Sequence, residues 1–193
     1  ILNVVGYGEA AYFVNGKRIE NAVRPTFPTV PEKTIVYTSY DITDMLRNGK
    51  NRIGIMLSHH RCWGTSASLL YKKKLEAILE LDFDGKTVLV SDGSFKFAPS
   101  HITFAFPECG EIHDADRIIP DWCNPGFDDS AWSYMFEEDS PGGEYRPLLC
   151  ENIVKYDSGK GKEISPKLFC FGKVTSGCVR IDVHGKKGTV IKL

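Results

Sequence analysis

Hydrophobic and polar residues alternate along most of this chain, and the alternation stops repeatedly at Gly, Asn, Asp and Pro. A period of two puts every second side chain on one face, so each run predicts a half-buried β-strand. Tyr12-Phe13-Val14 and Lys17-Arg18-Ile19 flank Asn15-Gly16, a pair that accepts the positive φ angles of a tight hairpin turn. In a second hairpin, Leu75, Ala77, Leu79 and Leu81 share one face, Asp84-Gly85 supplies the turn, and Thr87-Val88-Leu89-Val90 returns. A third hairpin is predicted where 179–183 and 189–191 are separated by the glycine-bounded run His184-Gly185-Lys186-Lys187-Gly188.

Helical periodicity is scarce. The best helical stretch is 41–47, with Asp41 or Thr43 able to cap its first turn and Asn48-Gly49 able to end it. Strand alternation resumes at 51–57. The pattern predicts an all-β fold, a β-sandwich of jelly-roll or galactose-binding-like type with one or two short helical turns. The chain changes character at 139–147, where Ser140-Pro141-Gly142-Gly143 reads as a loop, 157–162 reads as another, and the domain boundary is placed near residue 150. Residues 1–150 then form one domain. Residues 151–193 are either the opening strands of a following β domain or strands that complete the first.

Composition narrows the classes. The 193 residues are enough for a substantial core, and 24 basic against 25 acidic residues leave a formal charge of −1. A nucleic-acid partner is not expected, because phosphate recognition needs a basic stripe and Lys72-Lys73-Lys74 reads as a solvated lead into a strand. No run approaches the roughly 18 apolar residues of a membrane span. The chain opens without Met in an apolar stretch, Ile1-Leu2-Asn3-Val4-Val5, and so reads as a fragment or processed product. Its six cysteines form no Cys-x-x-Cys pair, and buried free thiols are favoured over any specific disulfide.

The densest acidic group is Glu108, Glu111, Asp114 and Asp116. Three readings of it stand. A glycosidase would need two opposed carboxyls, ~5–5.5 Å apart if retaining or ~6.5–9.5 Å if inverting, across a sugar-sized cleft. In an extended chain Asp114 and Asp116 would share a face and could take part in holding calcium, which needs six to eight oxygens. The group could equally be a solvated loop held by Asx-type hydrogen bonds. His59 and His60 point to opposite faces of an extended strand and cannot easily share a metal. Trp63, beside His60, is a better candidate for a surface that stacks on a sugar, although tryptophan more often anchors a core. Trp122 and Trp132 bracket Pro125-Gly126-Phe127-Asp128-Asp129-Ser130 and read as structural pins. No phosphate-binding loop, Gly-x-Ser-x-Gly elbow or His-Glu-x-x-His helix is present.

Gly110-Glu111-Ile112-His113-Asp114-Ala115, then Trp122, then Pro125-Gly126-Phe127-Asp128-Asp129-Ser130-Ala131-Trp132, resembles a pattern of bacterial α-L-rhamnosidases, Gly-Glu-x-Tyr-Asp-Ala-Arg…Gly-Trp…Pro-Gly-Phe-Asp-Asp-Ser-x-Trp. Further matches follow in family order: Tyr12 to Arg18, Tyr40 to Leu46 with Asn51 to Gly54, Ser91 to Lys96, and Phe171 to Arg180. His113 replaces the family's Tyr, Asp116 its Arg, Lys173-Val174 its Gln-Asn and Cys178 its Trp, and Arg61-Cys62 alters a Gly-Trp-Tyr neighbourhood. The resemblance implies an N-terminal β region of an inverting enzyme that releases terminal α-L-rhamnose at acidic residues of a separate helical barrel. It implies no catalytic residue here. The implied partners are the catalytic domain of the same polypeptide and rhamnose-containing glycans, with Trp63, His60, Glu111 and Asp114 as candidate carbohydrate contacts. Related modules bind rhamnose with calcium, so a lectin-like module is the alternative. Asp114 and Asp116 are its weak calcium candidates, and no other cofactor is expected. A periplasmic or secreted location is favoured.

Overall fold

A computed structural model of the chain describes residues 1–7, 9–19, 29–58, 75–106, 110–149, 158–174, 177, 179–186 and 188–190. The chain divides into two compact units, Ile1–Lys155 and Tyr156–Leu193. In the first unit the strands are β1 (Leu2–Tyr7), β2 (Glu9–Val14), β3 (Lys17–Arg18), β4 (Thr34–Tyr40), β5 (Ile53–Ser58), β6 (Glu76–Phe83) and β7 (Lys86–Val90). They are followed by β8 (Lys96–Phe97), β9 (Ile102–Phe106), β10 (Gly110–His113), β11 (Ser133–Tyr134) and β12 (Glu144–Pro147). A five-stranded sheet, ordered β12-β4-β1-β6-β7, packs against a three-stranded sheet ordered β3-β2-β5. The fold is an all-β sandwich.

Alternation explains its core. The inner faces contribute Leu2 and Val4 of β1, Ala10, Tyr12 and Val14 of β2, Tyr40 of β4 and Leu79 of β6, joined by Ile19 and Ile42. The register sets Leu2 between Tyr40 and Leu81, and Val4 between Thr38 and Leu79, so two adjacent rows, apolar except at Thr38, cross three strands. Burying each such Leu or Val stabilises the fold by about 1.5–3 kcal/mol. The opposite face of β1 carries a polar ladder around Asn3, next to the buried Val5. There Ser39 donates to Asn3 Oδ1 at 2.7 Å, Asn3 Nδ2 donates to Glu80 and Asp82, and Thr87 donates to Asp82 Oδ1 at 2.8 Å. A one-residue slip would bury this ladder and expose the core, which fixes the register.

Both expected tight hairpins form. Asn15 and Gly16 take φ of 52° and 81°, and Asp84 and Gly85 take 48° and 72°. The helical stretch at 41–47 shrinks to one 3-10 turn, Thr43–Met45. The Asp41 carboxylate accepts from both the Thr43 amide, at 3.0 Å, and the Thr43 hydroxyl, at 2.6 Å. Those bonds hold its carboxyl below the usual range. Ile42 is drawn into the core, and Leu46 returns to extended backbone before a costly helix nucleus can propagate.

Two features depart from the sequence pattern. Residues 144–147, to which the pattern assigned no element, form β12, which runs parallel to β4 with Tyr145 opposite Ile35. Short and punctuated by Gly and Pro, this segment becomes a strand because β4 offers it an open edge. Gly143 permits the approach: a Cβ there would lie 2.1 Å from the Pro31 carbonyl oxygen. In the second unit the strands are β13 (Lys162–Ser165) and β14 (Leu168–Cys170), a hairpin turning through Lys167 at φ 66°. The hairpin expected at 179–183 and 189–191 is not formed over its described residues. Val179, Ile181 and Val183 are exposed, so no buried face draws that segment into register.

Trp122 and Trp132 pin the outside of the smaller sheet. Trp122 meets Phe13 edge-on at 5.2 Å and stacks on Trp132 at 6.4 Å, while Phe127 meets Trp132 edge-on at 5.6 Å. Asp129 fastens this loop, accepting from Arg52 at 2.7 Å and Lys96 at 2.9 Å. These bonds, Lys96 first and then Arg52, hold its carboxyl below the usual range. Cys123 is a buried free thiol whose pKa is raised by burial, whereas Cys170 is a free thiol left exposed on β14.

Candidate functional site

The acidic group lies on β10 and the turn that follows. Glu111 and His113, two residues apart on one strand, share a face, and Glu111 Oε2 lies 2.6 Å from His113 Nε2. The His113 ring sits 5.4 Å from that of His101, which precedes β9. Asp114 does not line up with Asp116. Instead it caps a second 3-10 turn, Ala115–Arg117, accepting from the Asp116 amide at 3.2 Å and pairing with Arg117 Nε at 3.0 Å. A guanidinium therefore already sits where a calcium ion would need the Asp114 carboxylate. Among the described residues no three His, Cys, Asp or Glu side chains converge on one point. Calcium would require six to eight oxygens, and the described side chains around Asp114 and Asp116 supply no such group. Trp63, His60 and Glu108 lie outside the described residues.

A different feature is concave. Between the 46–53 segment and the β6–β7 hairpin lies an open groove of about 700 Å³. Leu46, Ile53, Leu81, Phe83, Val88 and Leu89 make its apolar walls, and Arg47, Asn48 and Asn51 its polar rim. Its origin is architectural. β7 ends the larger sheet and β5 the smaller one, so the inward-facing residues near that edge lack a covering strand. Phe83, Val88 and Val90 stand about half exposed, at 54%, 57% and 49%. Asn51 is committed to the loop itself: its Oδ1 accepts from Asn15 and from the Arg47 amide, and its Nδ2 donates to the Arg47 and Gly49 carbonyls. Sequence reading misses this groove because its lining comes from separated segments. The one local signal was β7 itself, apolar on both faces where a solvated edge strand is normally charged.

Two facing sheets, an aromatic pin behind the smaller one and an open apolar edge define a β-sandwich module. A sequence profile described as "Alpha-L-rhamnosidase N-terminal domain" matches residues 1–157. The chain belongs to that family. Similar curated proteins include an α-L-rhamnosidase of Formosa agariphila, 26% identical across 98% of this chain and 22% of the relative. One from Streptomyces avermitilis is 27% identical across 93% of this chain and 19% of the relative. The chain thus spans about a fifth of the length of the curated relatives it matches. Among solved structures, an α-L-rhamnosidase from Dictyoglumus thermophilum has a TM-score of 0.70 and 29% identity, over 84% of this chain and 18% of that one. The Streptomyces avermitilis α-L-rhamnosidase complexed with L-rhamnose has a TM-score of 0.60 and 26% identity, over 74% of this chain and 14% of that one.

Proposed function

We propose that this chain is a non-catalytic accessory sandwich of an α-L-rhamnosidase, supporting the catalytic part of the same polypeptide. The observation that carries the reading is the extent of the likeness: family membership over 1–157, in a chain a fifth as long as its relatives. The described acidic side chains agree with it. Asp114 and Asp129 are bonded to neighbouring cations, and Glu111 to His113, which leaves them as parts of local structure. The apolar edge at Phe83, Val88 and Leu89 is the surface that supports docking, since exposed apolar clusters mark interaction sites. In this reading terminal α-L-rhamnose is released elsewhere in the complete enzyme.

Assaying this chain on an aryl α-L-rhamnoside should give no turnover. Turnover that disappears in Glu111→Gln would overturn the proposal.

The groove favours a second reading, a carbohydrate-binding module. Apolar walls suit the C–H face of a sugar, and the Arg47 guanidinium and Asn48 amide on the rim suit its hydroxyls. Calorimetry with L-rhamnose and rhamnose-containing glycans, with and without calcium, tests it. Flat titrations across the panel would remove it.

A further inference from the structure

The sequence holds two Asn-Gly pairs in the described residues, Asn15-Gly16 and Asn48-Gly49, and the fold treats them oppositely. Asn15 is locked. Its Nδ2 donates to the Met45 carbonyl at 2.9 Å and to Asn51 Oδ1 at 2.8 Å, and its Oδ1 accepts from the Arg52 amide at 2.9 Å. Gly16 beside it is packed so closely that a Cβ would lie 2.0 Å from Asn124 Oδ1. Asn48 is exposed, and its side chain makes no hydrogen bond to the described residues. Gly49 has φ of 88° and no atom within 4 Å of where a Cβ would stand. Asn51 grips the Arg47 amide and carbonyl on one side and the Gly49 carbonyl on the other. Among the described residues nothing bonds the peptide between Asn48 and Gly49.

We propose that Asn48 is a site of spontaneous covalent modification, converting to aspartate and isoaspartate through a cyclic imide. The Gly49 amide nitrogen attacks the Asn48 side-chain carbonyl carbon, forming an N–C bond. The bond from that carbon to its amino group breaks, and ammonia leaves carrying the proton lost from the Gly49 nitrogen. Water then adds to either imide carbonyl and opens the ring, so one water is consumed and one ammonia released, with no oxidant or reductant. Glycine at the following position matters because no side chain obstructs the attacking nitrogen. The product has a consequence for the groove. Asn48 is part of its rim beside Arg47, so each event sets a carboxylate there and takes the chain's formal charge from −1 to −2. The isoaspartyl form also lengthens the backbone where the first 3-10 turn leads into β5.

The test is incubation of the intact chain at mildly alkaline pH, with peptide mass mapping and isoaspartyl methyltransferase labelling. In the folded chain, modification at Asn48 should outpace that at Asn15 by about tenfold or more, the ratio set by a barrier difference of about 1.4 kcal/mol. In denaturing urea the two rates should come together, since both asparagines precede glycine. Gly49→Ala should slow the reaction at Asn48 and leave Asn15 unchanged. Equal rates in the folded chain, a ratio that persists in urea, or a Gly49→Ala variant that reacts at the original rate would each overturn the proposal.

Discussion

Gly54 is where the smaller sheet meets its aromatic pin, and adding one methyl group there tests that packing directly. It sits in extended β5 opposite Phe13, a backbone conformation in which alanine is unstrained. Removing glycine's unfolded-state entropy would then stabilise the fold by about 0.4–1 kcal/mol. Packing works the other way. A Cβ on Gly54 would lie 2.4 Å from Trp122 Cζ3, 2.7 Å from Cη2 and 2.9 Å from Cys123 Sγ. Carbon atoms rest at about 3.5–4.0 Å, so the indole must retreat by about 1 Å. Phe13 and Trp132 hold it on two sides and Cys123 is buried, so the retreat disturbs the whole pin. Overpacking of this kind costs about 1–3 kcal/mol, and the net expectation for Gly54→Ala is a loss of about 1–2 kcal/mol.

Equilibrium urea unfolding followed by tryptophan fluorescence reads this directly. With a slope of about 2 kcal/mol per molar, the midpoint should fall by about 0.5–1 M. In a Trp122→Leu background, where the two nearest ring atoms are gone, the penalty should shrink, giving a measurable coupling between the sites. An unchanged or raised midpoint, or a penalty identical in both backgrounds, would refute the packing account.

Leu79→Ala, at a position only 1% exposed, should lose about 2–5 kcal/mol in the same unfolding assay, and a loss below about 1 kcal/mol would show that the sandwich interior lies elsewhere. Asp129→Asn should destabilise the chain at neutral pH. The Asp129 pKa is lowered on folding, so its contribution is present above the unfolded carboxylate value of about 3.9 and is lost as pH falls through the folded one. The gap between wild type and Asp129→Asn should therefore close in acid urea titrations, and a gap that stays constant below that pH contradicts the pairing with Lys96 and Arg52. Burial pushes the Tyr40 phenol up to about 12, and its hydroxyl is buried with no hydrogen-bond partner among the described residues. Tyr40→Phe should thus leave stability unchanged or raise it by about 1 kcal/mol; a clear loss in thermal unfolding would mean that the hydroxyl is bonded.

What the sequence by itself determined was whatever acts over a few residues. Asn15-Gly16 and Asp84-Gly85 set their hairpins because positive φ is a property of the turn residues themselves, and alternation at Leu79 and Leu81 assigned the inner face. The aromatic pin was legible as structural, and membership of the rhamnosidase family was legible from ordered motifs. Glu111 was legible as part of a dense acidic group, but not its place on β10 or its pairing with His113.

Tertiary structure decided everything that needed a distant partner. β12 became a strand because β4, more than a hundred residues earlier, left an edge open, while 179–183 stayed irregular for want of a face to bury. Asp129 is a clamp only because folding brings Arg52 and Lys96 to it. The groove exists only where two sheets end together, and the two Asn-Gly pairs differ only in what surrounds them. Local chemistry is written in neighbouring residues; burial, closure and charge pairing depend on which segments meet, and no short window of sequence records that.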